Sequence, residues 1–170
     1  MSMNRLLVAV LMAALTAVAC DQQGRPLEHP GMDRLQPGVS GELDVRGVFG
    51  VPETIIEQGD GSRVFQYPQG PEGPRTFFAT IGADGKLIRV SNVLVPGTFA
   101  KIVPGISRDD VRRLIGRPGA EKAYPLKRQT AWEWKFIGDD HGTKVFYVTF
   151  DEANKVVSSG VLDPALSSGH

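Results

Sequence analysis

The chain has 170 residues, with 19 basic and 19 acidic side chains and a formal net charge of zero. That balance supplies no long-range field for nucleic acid, and a single cysteine rules out an internal disulfide framework. Twenty glycines and 12 prolines point to short elements joined by many turns.

The first 19 residues read as an export signal. Arg5 opens an apolar run, Leu6 to Ala14 is unbroken, and Ala17, Val18 and Ala19 stand directly before Cys20. Small residues there let a peptidase reach the bond. The run from Leu6 to Ala19 is 14 residues including Thr16, short of the roughly 20 a transmembrane helix needs. An ordinary cleaved signal shares the A-x-A pattern of Ala17-Val18-Ala19. The position of the only cysteine favours lipidation, since a lone exported thiol has no disulfide partner. The segment resembles the lipobox of bacterial lipoproteins, in which the cysteine becomes the acylated first residue. Ala17 departs from that pattern, which usually has leucine three residues before the cysteine. The resemblance implies two or three acyl chains, each buried methylene contributing about 0.8 kcal/mol, and so membrane attachment without spanning. The mature chain would keep 151 residues, enough for one ordinary domain or two small ones.

Residues 20–34 are expected to form a lipidated tether. Asp21 to Arg34 carries two prolines, two glycines and little apolar content. Fully extended it would reach about 50 Å. Residues 165–170 make a similarly loose tail. Between them the chain repeats itself, with a first copy over 35–95 and a second over 96–164. Pro37-Gly38-Val39-Ser40 answers Pro104-Gly105-Ile106-Ser107, and Asp44-Val45-Arg46 answers Asp110-Val111-Arg112. Gly50-x-Pro52 answers Gly116-x-Pro118, and Phe65-x-Tyr67 answers Trp132-x-Trp134. Phe77-Phe78, Lys86-Leu87 and Val93-Leu94 match Phe146-Tyr147, Lys155-Val156 and Val161-Leu162. These landmarks keep their order at offsets of 66 to 69 residues.

Each copy opens with a predicted helix. Ser107 is an N-cap residue, Asp109 and Asp110 suit the first turn, and Val111, Leu114 and Ile115 form one apolar stripe. Gly116 ends the helix and Pro118 stops it resuming. In the first copy the same roles fall to Ser40, to Val45, Val48 and Phe49, and to Gly50 and Pro52. Thr98 to Val103 makes a further helical turn or two before Pro104. A DNA-reading use of the resulting helix pair conflicts with export and with the absence of net charge. The period then changes to two. Trp132, Trp134 and Phe136 alternate with Glu133 and Lys135, and Phe146, Val148 and Phe150 share one side of Lys144 to Phe150. Lys155 to Leu162 follows after a turn. Arg63 to Tyr67, Thr76 to Ile81 and Lys86 to Val95 are the first-copy strands. The expected class is α+β: two tandem repeats, each a short helix pair packed on a three-stranded antiparallel meander.

With those elements in place, the chain resembles the small outer-membrane assembly lipoproteins of the SmpA/OmlA (BamE-like) type. The features that match are Gly105, Ile106, Ser107, Asp110, Val111, Ile115, Gly116, Pro118, Trp132, Trp134, Thr149 and Phe150. The likeness covers about 65 residues of the second copy well, and the first more weakly. Typical members carry one such unit. Tandem units also resemble the secreted β-lactamase inhibitor proteins, which bind an enzyme across a concave sheet. The resemblance implies a lipoprotein facing the periplasm whose partners are the membrane, through its acyl chains, and envelope proteins such as β-barrel assembly components. Asp21 directly after Cys20 is associated in enteric bacteria with inner-membrane retention, so it weighs against the outer membrane that the family implies.

Catalytic signals are sparse. The histidines are His29, His141 and His170, and no HExxH or metal-spaced ligand pair occurs. Asp139-Asp140-His141 reads either as an acid–base or metal site or as a solvated hairpin tip between Gly138 and Gly142; the tip is the simpler reading. Capping accounts for Ser40 and Ser107 without nucleophilic chemistry. No catalytic residue, metal or cofactor is expected. The partner-binding candidates are Trp132 and Trp134, which otherwise fill the core, and Gly70 and Pro71, which otherwise belong to a plain hairpin connection. Three functions follow: an envelope-assembly scaffold, an inhibitor-like module that blocks an envelope or secreted enzyme, and an enzyme centred on His141. A concave, aromatic-lined surface across both repeats would separate the second from the first. A pocket or metal at His141 would be needed for the third.

Overall fold

Short amphipathic stretches, each bounded by glycine or proline, build this chain as helix followed by meander, twice. The computed structural model describes residues 29–70 and 72–162. The chain divides between Leu35 and Gln36. Before that division a 3-10 turn, Met32–Arg34, is described. After it come α1 (Glu42–Phe49), β1 (Thr54–Glu57), β2 (Arg63–Pro68), β3 (Thr76–Ile81) and β4 (Leu87–Asn92). Then follow α2 (Pro96–Phe99), α3 (Arg108–Ile115), β5 (Ala120–Tyr124), β6 (Gln129–Ile137), β7 (Thr143–Phe150) and β8 (Val156–Leu162). The class is α+β, with two separate antiparallel sheets in strand orders β1-β2-β3-β4 and β5-β6-β7-β8.

Each meander therefore has a fourth strand ahead of the three expected. β1 is only four residues long, and every residue of β5 is exposed, so neither carries the alternation that marks a half-buried strand. Pairing to β2 and β6 makes them strands: Ile55 lies opposite Phe65, and Lys122 opposite Ala131.

α3 starts as expected. The Asp110 N–H donates to Ser107 Oγ at 3.1 Å, and the Ser107 N–H donates to the Asp110 carboxylate at 3.1 Å, a reciprocal capping box. In the first copy the cap is not Ser40. Gly41 holds the N-cap position, and its N–H donates to Asp44 Oδ2 at 2.8 Å. Ser40 is buried at 7% exposure and its Oγ accepts the Gln36 N–H at 2.9 Å. The loop before α1 is thus one residue longer than its counterpart, which shifts the serine off the helix end. Both helices close on a glycine whose N–H reaches back to an arginine carbonyl, Gly50 to Arg46 at 2.8 Å and Gly116 to Arg112 at 2.9 Å.

The inner face of the first sheet carries Phe65, Tyr67, Phe77 and Ala79, all buried. Val45 and Phe49 of α1 close it, with the Phe49 ring 5.0 Å from Tyr67 and 5.4 Å from Phe77. In the second sheet Trp132, Trp134, Phe146, Val148 and Phe150 face Val111 and Ile115 of α3. Phe99 of α2 stacks on Phe146 at 4.0 Å. This cluster also takes in Phe78, Val93 and Leu94 from the first copy, with Val64 packed against it. The two copies therefore share a core. Gly116 marks the contact: a Cβ there would sit 3.0 Å from Thr76 Cγ2 and 3.6 Å from Phe78 Cε1. Gln66 Nε2 reaches the Arg112 carbonyl at 3.4 Å, and Arg117 pairs with Glu53 at 3.0 Å.

Candidate protein-binding surface

Strand alternation divides the second sheet into a covered and an outward face. The outward row runs Glu133, Tyr147, Gly160 across β6, β7 and β8. Lys122 Nζ pairs with Glu133 at 2.8 Å, and this bond holds the lysine above its ordinary range. Tyr147 lies over Gly160: a Cβ at 160 would stand 2.8 Å from the phenol oxygen. Lys135, on the same face, pairs with Glu72 from the β2–β3 connection of the first copy. Val145, opposite Lys135, and Leu162, opposite Val145, add apolar surface to this ion-paired face.

Trp132 and Trp134 lie on the other face, at 1% and 2% exposure. They are core residues and, so placed, offer a partner no surface; the packing reading is the one the fold adopts. The reason is register. The face that carries both indoles is the face α3 covers. The Trp132 ring is 4.9 Å from Phe150, with Arg108 at 5.0 Å and Arg112 at 4.8 Å over its face. In the first copy Arg46 and Arg63 stand 5.2 and 5.4 Å from the Phe65 ring. A helix arginine over a strand aromatic is thus built into both copies, a cation–π contact. The paired Asp-Val-Arg motifs carried that signal, although sequence alone did not connect the arginines to the aromatics.

Gly70 sits in the left-handed region, with φ of 80°, in the connection between β2 and β3. The Gln69 N–H donates to the Arg75 carbonyl at 3.1 Å, and Gly73 to Gly70 at 3.3 Å. This is a hairpin connection, held toward the second sheet by Glu72. Pro71 and Cys20 fall outside the described residues, as do the export signal, most of the tether and the tail.

Asp139-Asp140-His141 forms the tip of the β6–β7 hairpin. Gly138 donates to the Gly142 carbonyl at 2.9 Å, and His141 adopts a φ of 62°. Asp140 accepts from the Gly142 N–H at 3.1 Å and pairs with Lys144 at 3.1 Å, and these bonds hold its carboxyl below the usual range. Among the described residues no group of three potential metal ligands comes together, and no helix is long and apolar enough to cross a membrane.

No family model matches the chain, and no curated protein matches it. Among solved structures, it is similar to an osmotically inducible lipoprotein, OsmE, at 26% identity over 41% of this chain and 79% of that one, with a TM-score of 0.35. A DUF4309 family protein, YjgB, from Bacillus subtilis shares 13% identity over 75% and 80% of the two chains, with a TM-score of 0.29. A Streptococcus mutans protein described as a β-lactamase inhibitor shares 9% over 77% and 92%, with a TM-score of 0.30.

Proposed function

We propose that the protein is a lipid-anchored, non-enzymatic binding protein of the bacterial cell envelope that serves as an accessory of outer-membrane β-barrel assembly. One observation carries the reading: the only cysteine follows a short apolar run and three small or slim residues, the arrangement a lipidating export pathway needs. The resemblance of Gly105 to Phe150 to the SmpA/OmlA pattern supports the assembly role. An acyl anchor at Cys20 and the 20–34 tether would hold the body at the periplasmic side of a membrane, with the outer membrane favoured despite Asp21.

The inhibitor-like alternative asks for one concave, aromatic-lined surface over both copies. Phe65, Tyr67, Trp132 and Trp134 are buried beneath helices, and the sheets are separate, which favours the scaffold reading. Replacing Cys20 with alanine tests the anchor. The expected result is loss of the protein from the membrane fraction with an unchanged circular dichroism spectrum. Persistence of the variant on membranes would refute lipid attachment. Affinity purification from detergent-solubilised envelopes then tests the partner class, expecting β-barrel assembly components; recovery of a secreted enzyme in their place would move the assignment to the inhibitor.

A further inference from the structure

The two copies treat the arginines over their aromatic rings differently. In the first copy Glu42 serves both of them. Its Oε1 accepts from Arg46 Nε at 2.8 Å, and its Oε2 lies 2.8 Å from Arg63 Nη2. The bond from Arg46 is the main reason that the Glu42 carboxyl stays below its usual range. One carboxylate thus bridges the two guanidiniums that stand over Phe65. The duplication landmarks set Arg108 where the first copy has Glu42, and Thr130 where it has Arg63. The second copy again places two guanidiniums over its aromatic, Arg108 and Arg112 over Trp132. Among the described residues, however, neither of these side chains has an ion-pair or hydrogen-bond partner, and Arg108 Nε is buried without one.

We infer that Arg108 and Arg112 form a receptor for a carboxylate on an acidic side chain of a partner protein, the group that Glu42 supplies internally in the first copy. The choice of a carboxylate rests on this chain's own precedent: it is what the fold sets against two arginines over a ring. Stacking and carboxylate binding are compatible, because a guanidinium stacks by its flat face and keeps its N–H donors in the plane around its rim. Like charges four residues apart on a helix repel, and an occupying carboxylate relieves that repulsion. Arg112 is exposed and Arg108 half-buried, so the pair is within reach of a partner. The buried Trp132 ring takes the place of water on one side, which strengthens the hold on an anion relative to fully solvated arginines. Neighbouring acids do not fill the site. Asp110 is taken up by the Ser107 cap, and Asp109 pairs with neither arginine. The site depends neither on the anchor nor on which protein supplies the carboxylate.

The test uses the full chain in a nonionic detergent, titrated at constant ionic strength with an acetylated tetraglutamate amide and, separately, with its glutamine counterpart. Trp132 and Trp134 are the only tryptophans, so indole emission reports on the site, and the Nε–H NMR signals of Arg108 and Arg112 report on the contact itself. The expected result is a saturable change in both signals with the glutamate peptide alone. Arg108→Glu rebuilds the internal pair of the first copy and should abolish the response. Arg112→Gln, at an exposed position that leaves the fold intact, should weaken binding about tenfold or more, the worth of one charged hydrogen bond. Arg113→Gln removes the same charge from a helix position without a ring contact and should bind as the unsubstituted protein does. No saturable change in the folded, unsubstituted protein overturns the inference. So does equal weakening by Arg112→Gln and Arg113→Gln, which marks diffuse attraction in place of a site. A stronger response to inorganic phosphate, or to vesicles containing phosphatidylglycerol, also overturns it, because the occupant is then a phosphate.

Discussion

Gly50 and Gly116 offer a paired substitution that measures the contact between the copies. Their backbones are nearly the same, with φ of 80° and ψ of −151° at Gly50, and φ of 79° and ψ of −168° at Gly116. That region is essentially restricted to glycine and costs other residues about 1–3 kcal/mol. Gly50→Ala meets that strain alone, because nothing lies within 4 Å of its new Cβ. Gly116→Ala meets the same strain and also a methyl at 3.0 Å on Thr76 Cγ2. Overpacking of this kind adds roughly 1 kcal/mol or more. For a body of this size each kcal/mol lowers the melting temperature by roughly 4 °C. Gly50→Ala should therefore melt about 4–12 °C lower, and Gly116→Ala a further 4 °C or so lower again. Thermal and urea unfolding followed by circular dichroism would read both. In a Thr76→Ser background the methyl is gone and the extra cost at 116 should shrink toward zero, a double-mutant cycle across the two copies. Equal costs at 50 and 116, or no coupling to Thr76, would mean that the end of α3 does not rest on the first sheet.

Val111→Asp should destabilise the fold by several kcal/mol, because it places an unpaired carboxylate at a fully buried site; an unchanged melting temperature would refute the assignment of that helix face. Asp110 is held below the usual carboxylate range chiefly by its bond from the Ser107 hydroxyl. A depressed carboxyl stabilises above its unfolded value and loses that contribution as pH falls through its folded one. Ser107→Ala should therefore raise the Asp110 titration seen by NMR and weaken the stability loss below about pH 4. Burial pushes the Tyr67 phenol up to about 12, and its hydroxyl has no hydrogen-bond partner among the described residues. Tyr67→Phe should leave stability unchanged or higher and flatten its decline between about pH 10 and 12, as measured by alkaline denaturation.

Local chemistry made much of this fold legible. The helices over Val45 and Val111 follow from stripe spacing and a terminating glycine with proline beyond. The strands through Trp132 and Phe146 follow from alternation, and those through Phe65 and Phe77 from their match to these in a set of landmarks that keep their order. These signals lie within a few residues of chain and need no distant partner. The candidate surface was harder to read. Trp132 and Trp134 read more readily as core than as anchors, yet alternation says only that they share a face, not which face a helix will cover.

The sequence by itself determined the two amphipathic helices, the three later strands of each meander and the order in which they recur, because capping, periodicity and turn chemistry are local. Only the tertiary structure decided that β1 and β5 are strands, that Gly41 rather than Ser40 caps α1, and that Gly116 rests on Thr76. It also decided that the aromatic rows face inward beneath arginines. Each of these depends on hydrogen-bond partners or packed surfaces brought together from far apart in the chain, where exposed strands and a one-residue loop difference leave no periodic trace.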